Sequence, residues 1–225
     1  MATNYAPRIV TDGLILCLDP ASKRSYTGAG TAWTNLINSK NGTLVNGPAF
    51  STEGGGSIHL DGANDKATYT LDSNIGTSDF TILVWMKIMG NDTYSHIMAF
   101  TDQNMFAFKA GNINYGPNDI YFYGGSSYRS LADDFGHWAF TLNAWTMFGL
   151  SRTSTGLTGY NNGEKLGTHS ESSAKDITSD SVQIGWGNGG EYTEQYRGPT
   201  YLYNKALSEE EVLQNYKATK GRFGL

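Results

Sequence analysis

The sequence has little that would tie it to disulfides, membranes or nucleic acid. Its 225 residues include one cysteine, Cys17, which excludes an intrachain disulfide. The longest apolar run, Ile82 to Met86, is far shorter than the roughly 18 residues of a membrane-spanning helix. Only 16% of the residues are charged and the net charge is −5, unlike the basic surface of nucleic-acid-binding proteins. We therefore expect neither a membrane nor nucleic acid among the partners.

The first residues also lack the features of a secretion signal. Met1 to Tyr5 carries neither a basic segment nor an apolar stretch behind it. Together with the single cysteine, this predicts a protein that is made in a reducing cytosol.

Glycine and aromatic residues are abundant, with 28 glycines and 13% Phe, Trp and Tyr. Short alternating segments lie between clusters of Gly, Asn, Asp and Ser, a pattern typical of antiparallel strands. The segment 80–88 carries apolar residues on both of its faces, which predicts a central strand covered on both sides. Asn162-Gly163 predicts a two-residue hairpin turn. The predicted strands are 13–19, 57–61, 66–71, 80–88, 95–101, 105–110, 119–123, 137–142, 145–151, 156–161, 164–168, 182–186 and 200–203.

One helix is predicted near the C-terminus. Ser208 and Glu211 have the spacing of a capping box, in which the N-cap side chain and the third helical residue bond each other's backbone amides. Leu207 and Val212 flank the box as a hydrophobic staple, and Val212 shares an apolar face with Tyr216. We see no linker and no long repeat, so we expect one domain over residues 1–225.

Several motifs in a fixed order resemble laminin G-like domains of the concanavalin A-like lectin/glucanase superfamily. They span nearly the whole chain, and the resemblance implies an all-β fold. The expected architecture is an antiparallel two-sheet β-sandwich of jelly-roll type, with one short C-terminal α-helix. The segments that carry the resemblance are 9–19, 33–36, 41–48, 60–65 (LDGAND), 80–86 (FTILVWM), 160–167 (YNNGEKLG) and 201–208 (YLYNKALS).

The opening and closing segments, with the tail 219–223, are similar to the versions found in structural proteins of tailed bacteriophages. This resemblance implies a non-catalytic virion structural protein, either a capsid decoration or a tail fibre component. Its partners would be other virion proteins, including further copies of itself, and display on the virion would serve attachment to host-surface glycans. Such a protein is assembled in the host cytoplasm and needs no signal peptide.

A glycoside hydrolase is a distant third interpretation, because such enzymes share this sandwich. Retaining hydrolysis needs two carboxyl groups roughly 5–5.5 Å apart, and no strand carries the alternating acids that would supply them. Glu191 and Glu194 lie in a glycine-rich stretch that we interpret as a solvated loop. Glu209 to Glu211 begin the predicted helix, where the helix dipole favours negative charge. We therefore assign no catalytic residue.

Calcium is the one metal that the sequence leaves open, and no cofactor is required. Laminin G-like relatives hold Ca²⁺ at a loop rim through Asp and Asn oxygens, which are its preferred ligands. The same residue types also form turns by bonding their own backbone, so no ligand is assigned. The candidate pairs are Asp72 with Asn74, Asp102 with Asn104, Asn118 with Asp119, and Asp133 with Asp134.

A carbohydrate-binding lectin or adhesin is the alternative function. Sugar sites combine aromatic side chains with a few placed polar groups, and two regions carry that mixture. Packing of half-buried strand residues is the competing explanation for Tyr121 and Tyr123, which alternate onto one strand face. The candidate residues are Tyr115, Asn118, Tyr121, Tyr123 and Tyr128 in the first region, and Trp186, Asn188, Tyr192 and Tyr196 in the second.

Overall fold

The computed structural model describes residues 7–90, 95–100, 106–112, 116–124, 127–130, 140–169, 176–185 and 192–225. In chain order the strands are β1 (Leu14–Leu18), β2 (Ala32–Thr34), β3 (Asn41–Val45), β4 (Ala49–Ser51), β5 (Ser57–Asp61), β6 (Lys66–Thr70), β7 (Phe80–Ile88), β8 (Ser95–Phe100), β9 (Phe106–Asn112), β10 (Gly116–Gly124), β11 (Ser127–Ser130), β12 (Trp145–Thr153), β13 (Gly156–Asn161), β14 (Glu164–His169), β15 (Ser181–Ile184) and β16 (Glu194–Tyr203). The α-helix α1 covers Glu209–Thr219, and 3-10 turns cover Glu53–Gly55 and Lys220–Phe223.

These strands form two antiparallel sheets, which confirms the predicted sandwich. The first sheet has the order β14-β13-β12-β7-β16-β5-β4, and β1 also pairs with β16. The second sheet has the order β11-β10-β9-β8-β15-β6-β3-β2. Among the described residues, no helix is long and apolar enough to cross a membrane.

The central strand of the first sheet is buried on both faces, as its sequence predicted. Ile82 and Val84 of β7 lie in the core between the sheets. Leu83 and Trp85 lie in a second apolar cluster on the outer face of the same sheet. Val212 of α1 belongs to that second cluster, so the C-terminal helix covers the sheet from outside.

The capping box at the start of α1 is confirmed. The Glu211 backbone amide donates to Ser208 Oγ, and the Ser208 amide donates to the Glu211 carboxylate at 2.9 Å. Leu207 and Val212 are both buried, as expected for a hydrophobic staple. The helix ends at Thr219, two residues before Gly221, and continues as a 3-10 turn.

The predicted strand 137–142 is wrong where the structure describes it. Residues 140–142 form no strand, and the Ala144 amide donates to Thr141 O in a turn that leads into β12. Asn143 takes a left-handed φ of 61°, which interrupts an extended backbone. Phe140 is buried against Phe148, with ring centroids 5.6 Å apart. The apolar pattern of this segment thus arises because a turn residue packs into the core. Residues 137–139 lie outside the described residues.

The interpretation of Glu194 as part of a solvated loop is also wrong. Glu194 is the first residue of β16, which begins six residues before the predicted strand 200–203. Its carboxylate lies 3.0 Å from His59 on the neighbouring strand β5. The glycine-rich sequence before Glu194 hid this pairing, because the segment is extended through its register with the distant strands β5 and β7. Glu191 lies outside the described residues.

A guanidinium clamp holds the C-terminal segment to the turn before β5. Arg222 Nε donates to Gly54 O at 2.6 Å, and Nη1 donates to Asp19 at 2.7 Å. Nη2 donates to Gly56 O. All three bonds involve a charged donor, and the Arg222 side chain is only 20% exposed. The clamp therefore ties the C-terminal segment to the turn after β1 and to the turn before β5.

We expect Arg222→Ala to lower the free energy of unfolding by about 2 kcal/mol, because it removes charge-assisted bonds to partly buried oxygens. Urea unfolding followed by tryptophan fluorescence measures this. Lys217→Ala is the matched control, since it removes the same charge from an exposed position and should change stability by less than about 0.5 kcal/mol. Equal losses in both variants would show that the effect is net charge, not the clamp.

Candidate functional site

The structure places the strand tyrosines of the two predicted aromatic regions in different sheets. Tyr121 and Tyr123 lie in β10 and Tyr128 in β11, at one end of the second sheet. Tyr196 lies in β16 of the first sheet. Asn118 also lies in β10, whereas Tyr115, Trp186 and Asn188 lie outside the described residues.

Strand register brings the tyrosines of the second sheet into line with polar residues of distant strands. Tyr123 is directly opposite Tyr128, and Tyr121 is opposite Ser130. From Tyr123 the pairing continues across five further strands in unbroken register. We name this line the cross-strand row: Tyr128, Tyr123, Ala107, Ala99, Gln183, Thr68 and Thr43.

The described polar residues of the cross-strand row, Thr43, Thr68 and Gln183, lie on the outer side of the second sheet. Thr43 is exposed, and Thr68 and Gln183 are half-buried. Their strand neighbours Leu44 and Val182 belong to the core, and alternate residues of a strand lie on opposite sides of a sheet. The helix α1 lies over the other sheet and does not cover this row.

Gln183 is the polar residue of the row with unused hydrogen-bonding capacity. Its side-chain oxygen is buried and has no hydrogen-bond partner among the described residues, which is rare for a buried acceptor. Ala99, the next position in the row, is fully buried, so solvent does not reach the middle of the row.

Sequence reasoning missed Gln183 and Thr68. Alternation within β15 and β6 was enough to place each of them on an outer face. What it could not show is the pairing of β15 with both β6 and β8, which joins residues separated by more than 80 positions. Only the sheet order connects them to the tyrosines of β10.

Tyr196 is packed within the outer face of the first sheet. Its ring stacks on the imidazole of His59, with centroids 4.6 Å apart. The Lys87 ammonium lies 5.2 Å from the same ring centroid, on the other neighbouring strand. His59 is in turn held by Glu194, and Lys87 by Glu53 at 3.0 Å. Tyr196 thus belongs to a cross-strand ladder whose rings contact each other, and Tyr192 is half-buried just before β16.

The described residues contain no group of three or more His, Cys, Asp and Glu that could hold a metal ion. Asp72 accepts bonds from Asn38 and Lys40, and these bonds hold its pKa below the ordinary value. Asn74 donates to Thr178 O at 3.2 Å. This candidate pair is therefore engaged in loop contacts. Asn118 and Asp119 lie in β10, and the pairs Asp102 with Asn104 and Asp133 with Asp134 lie outside the described residues. Calcium stays a prediction.

The fold defines this protein as a lectin-like β-sandwich. A family model described as the concanavalin A-like lectin/glucanases superfamily matches residues 60–213, and the chain belongs to that superfamily. The match confirms the resemblance seen in the sequence motifs. No curated protein matches the chain in sequence.

Solved structures with the same fold come from proteins of different kinds. Domain 4 of AbnA, a GH43 extracellular arabinanase from Geobacillus stearothermophilus, was solved with arabinotriose; it has 14% identity and a TM-score of 0.71, over 90% of this chain and 98% of that one. The binding domain of botulinum neurotoxin serotype D has 18% identity and a TM-score of 0.69, over 92% and 52%. Trypanosoma rangeli sialidase with sialic acid has 12% identity and a TM-score of 0.71, over 97% and 36%. This chain thus spans about half of the neurotoxin domain and about a third of the sialidase.

Proposed function

We propose that this protein is a non-catalytic carbohydrate-binding domain whose sugar lies on the outer side of the second sheet. The observation that carries the proposal is the cross-strand row. It places Tyr123 opposite Tyr128 and in line with Gln183 and Thr68. Ligand sites commonly combine aromatic surface with a few convergent polar groups, and a sugar offers apolar C–H faces and hydroxyls to match both.

The strands of the second sheet favour binding over hydrolysis. Their residues include one acidic side chain, Asp119 of β10. Glycoside hydrolysis ordinarily uses a pair of carboxyl groups on opposite sides of the scissile bond. A single carboxylate on this sheet supports a site that holds a sugar without cleaving it.

Two structural neighbours add support for a sugar ligand. The arabinanase domain was solved with arabinotriose, and the ligand binding domain of botulinum neurotoxin serotype D was solved with N-acetylneuraminic acid. These sugars differ in size and charge. The fold therefore supports glycan binding as a class, and the residues of the cross-strand row would select among glycans.

The test is a glycan array with the purified protein, followed by titration of the best glycan into variants. We expect Tyr123→Ala and Tyr128→Ala each to weaken binding about tenfold, because each removes aromatic contact area. Tyr192→Ala is the matched control, since it removes a half-buried tyrosine next to the other sheet. An array without any bound glycan, or a loss confined to Tyr192→Ala, would contradict the proposed site.

The same array, run with calcium and with EDTA, tests the metal that the sequence left open. Binding that disappears in EDTA would make calcium part of the sugar site. Binding that persists would leave recognition to the tyrosine and amide positions alone.

The virion location and virion partners implied by the sequence resemblance stay predictions. Mass spectrometry of purified virions tests both. A displayed glycan-binding domain is compatible with a virion role, because attachment to a host surface needs such a contact.

A further inference from the structure

A groove runs between the β13–β14 hairpin and the first turn of α1, at the edge of the first sheet. Two adjoining cavities of about 350 and 420 Å³ make up the groove, and they share Lys165, Glu209 and Glu210 as wall residues. Lys165 Nζ and Glu209 Oε1 are 2.8 Å apart and form an ion pair between hairpin and helix. Both cavities are open to solvent, so the groove is a surface site that a small ligand can enter directly.

The hairpin turn explains why the groove exists. Asn162 and Gly163 take φ values of 50° and 82°, the left-handed pair that a tight hairpin needs. A Cβ atom at Gly163 would lie 2.7 Å from Tyr216 of the helix. Glycine therefore lets the turn and the helix approach closely at this point, with the groove opening beside it.

Tyr160 lines the groove with a side chain that is otherwise buried. The residue is 3% exposed, and within the described part of the chain its phenol makes no hydrogen bond. Burial first, and then the charges of Glu209 and Glu210, raise the pKa of this phenol to about 12. The hydroxyl thus keeps its proton at ordinary pH and is a hydrogen-bond donor without a partner among the described residues.

The start of α1 offers carboxylate acceptors here, and its capping amides are already engaged. The Ser208 and Glu211 amides are consumed by the capping box. Glu210 accepts from Ser208 Oγ at 2.9 Å and from its own amide, and both bonds lower its pKa, so it is ionised at neutral pH. Glu164, Glu209 and Glu210 set three carboxylates against the one ammonium of Lys165. Such a groove favours a cation over an anion.

We propose that this groove binds an amino sugar through its protonated amine. The Glu210 carboxylate accepts from the ammonium group. The Tyr160 hydroxyl and Lys165 Nζ donate to sugar hydroxyl oxygens, which gives the unused phenol a partner. The groove belongs to the first sheet and the cross-strand row to the second, so either site can fail without the other.

The test is calorimetric titration of the whole protein with glucosamine at mildly acidic pH. Glucose and N-acetylglucosamine are the matched ligands, since they keep the ring and lack the positive charge. We expect glucosamine to bind at least about tenfold more tightly than either, because a hydrogen bond to a charged group is lost in both. Equal affinity for the three sugars, or no binding of glucosamine, would overturn the proposal.

Variants locate the amine within the groove. Glu210→Gln should weaken glucosamine binding at least about tenfold, and the helix start should survive because the capping box uses Ser208 and Glu211. Tyr160→Phe keeps the ring and should weaken binding on the order of fivefold. Glu53→Gln, which neutralises a carboxylate in the 3-10 turn before β5, should leave affinity unchanged. An unchanged affinity in Glu210→Gln would refute the assignment even if glucosamine binds.

Discussion

Replacing Trp85 by alanine should lower the free energy of unfolding by about 4 kcal/mol, the largest effect of any single substitution considered. The Trp85 side chain is fully buried on the outer face of β7. Its ring stacks on Phe223 at 4.2 Å and on Tyr216 at 5.7 Å, and its Nε1 donates to Thr219 Oγ1 at 2.8 Å. The substitution removes a large aromatic side chain and leaves a cavity under the whole C-terminal segment. Urea unfolding measures the loss.

Two milder variants divide that loss into packing and hydrogen bonding. Thr219→Val keeps the volume of the side chain and leaves the indole N–H of Trp85 without its acceptor, which should cost about 1–2 kcal/mol. Thr219→Ser retains the hydroxyl and should cost less than Thr219→Val. If Trp85→Ala were as stable as the wild type, the C-terminal segment would not pack on the first sheet in solution.

Asn215→Ala should cost about 3 kcal/mol, because one amide holds the first described residues to the helix. Asn215 is fully buried in α1. Its Oδ1 accepts from the Val10 amide and from the Tyr203 hydroxyl, each at 3.1 Å, and its Nδ2 donates to Glu211 O. Alanine leaves the buried Val10 amide without its side-chain acceptor, in a place that water reaches poorly.

Gln214→Ala is the control for Asn215→Ala, since Gln214 is the adjacent exposed residue and donates only to Arg8 O. It should change the free energy of unfolding by less than about 0.5 kcal/mol. Tyr203→Phe should cost about 1 kcal/mol on its own and less than that in the Asn215→Ala background, because the two side chains share one bond. Independent, additive losses would contradict the shared network.

Local sequence pattern predicted those parts of the fold that are specified by residues within a single segment. The bounds of β7 were predicted correctly because nine residues alternate into two apolar faces. The start of α1 was predicted because a capping box is specified by residues three apart. The Asn162-Gly163 turn was predicted because few residues adopt two left-handed conformations in succession.

The parts that local pattern missed depend on distant partners. β2, β4 and β11 are three or four residues long, too short to show a period. β3 was recognised as part of a motif but not as a strand, and it is extended because it pairs with β6. Residues 140–142 have a strand-like pattern and form a turn instead, since Phe140 reaches the core from a turn.

The candidate site residues show the same difference between what local pattern predicts and what depends on distant strands. The sequence identified Tyr121, Tyr123 and Tyr128 as candidates. Nothing in the residues around them indicates that Gln183 lies in the same cross-strand row as Tyr123 and Tyr128. Tyr196 was named beside them, and the structure places it in the other sheet, stacked on His59. Tyr160 and Glu210 are 50 residues apart in sequence and face one groove because the hairpin and the helix pack together.

The sequence by itself determined the superfamily, the two-sheet sandwich, the central strand and the capped helix, because each depends on local periodicity, turn residues or ordered motifs. The tertiary structure alone decided which sheet each aromatic residue joins, which polar atoms remain unpaired, and where the groove opens. Those properties arise from sheet order and register, since a strand's neighbours are chosen by packing across the whole chain and not by the residues beside it.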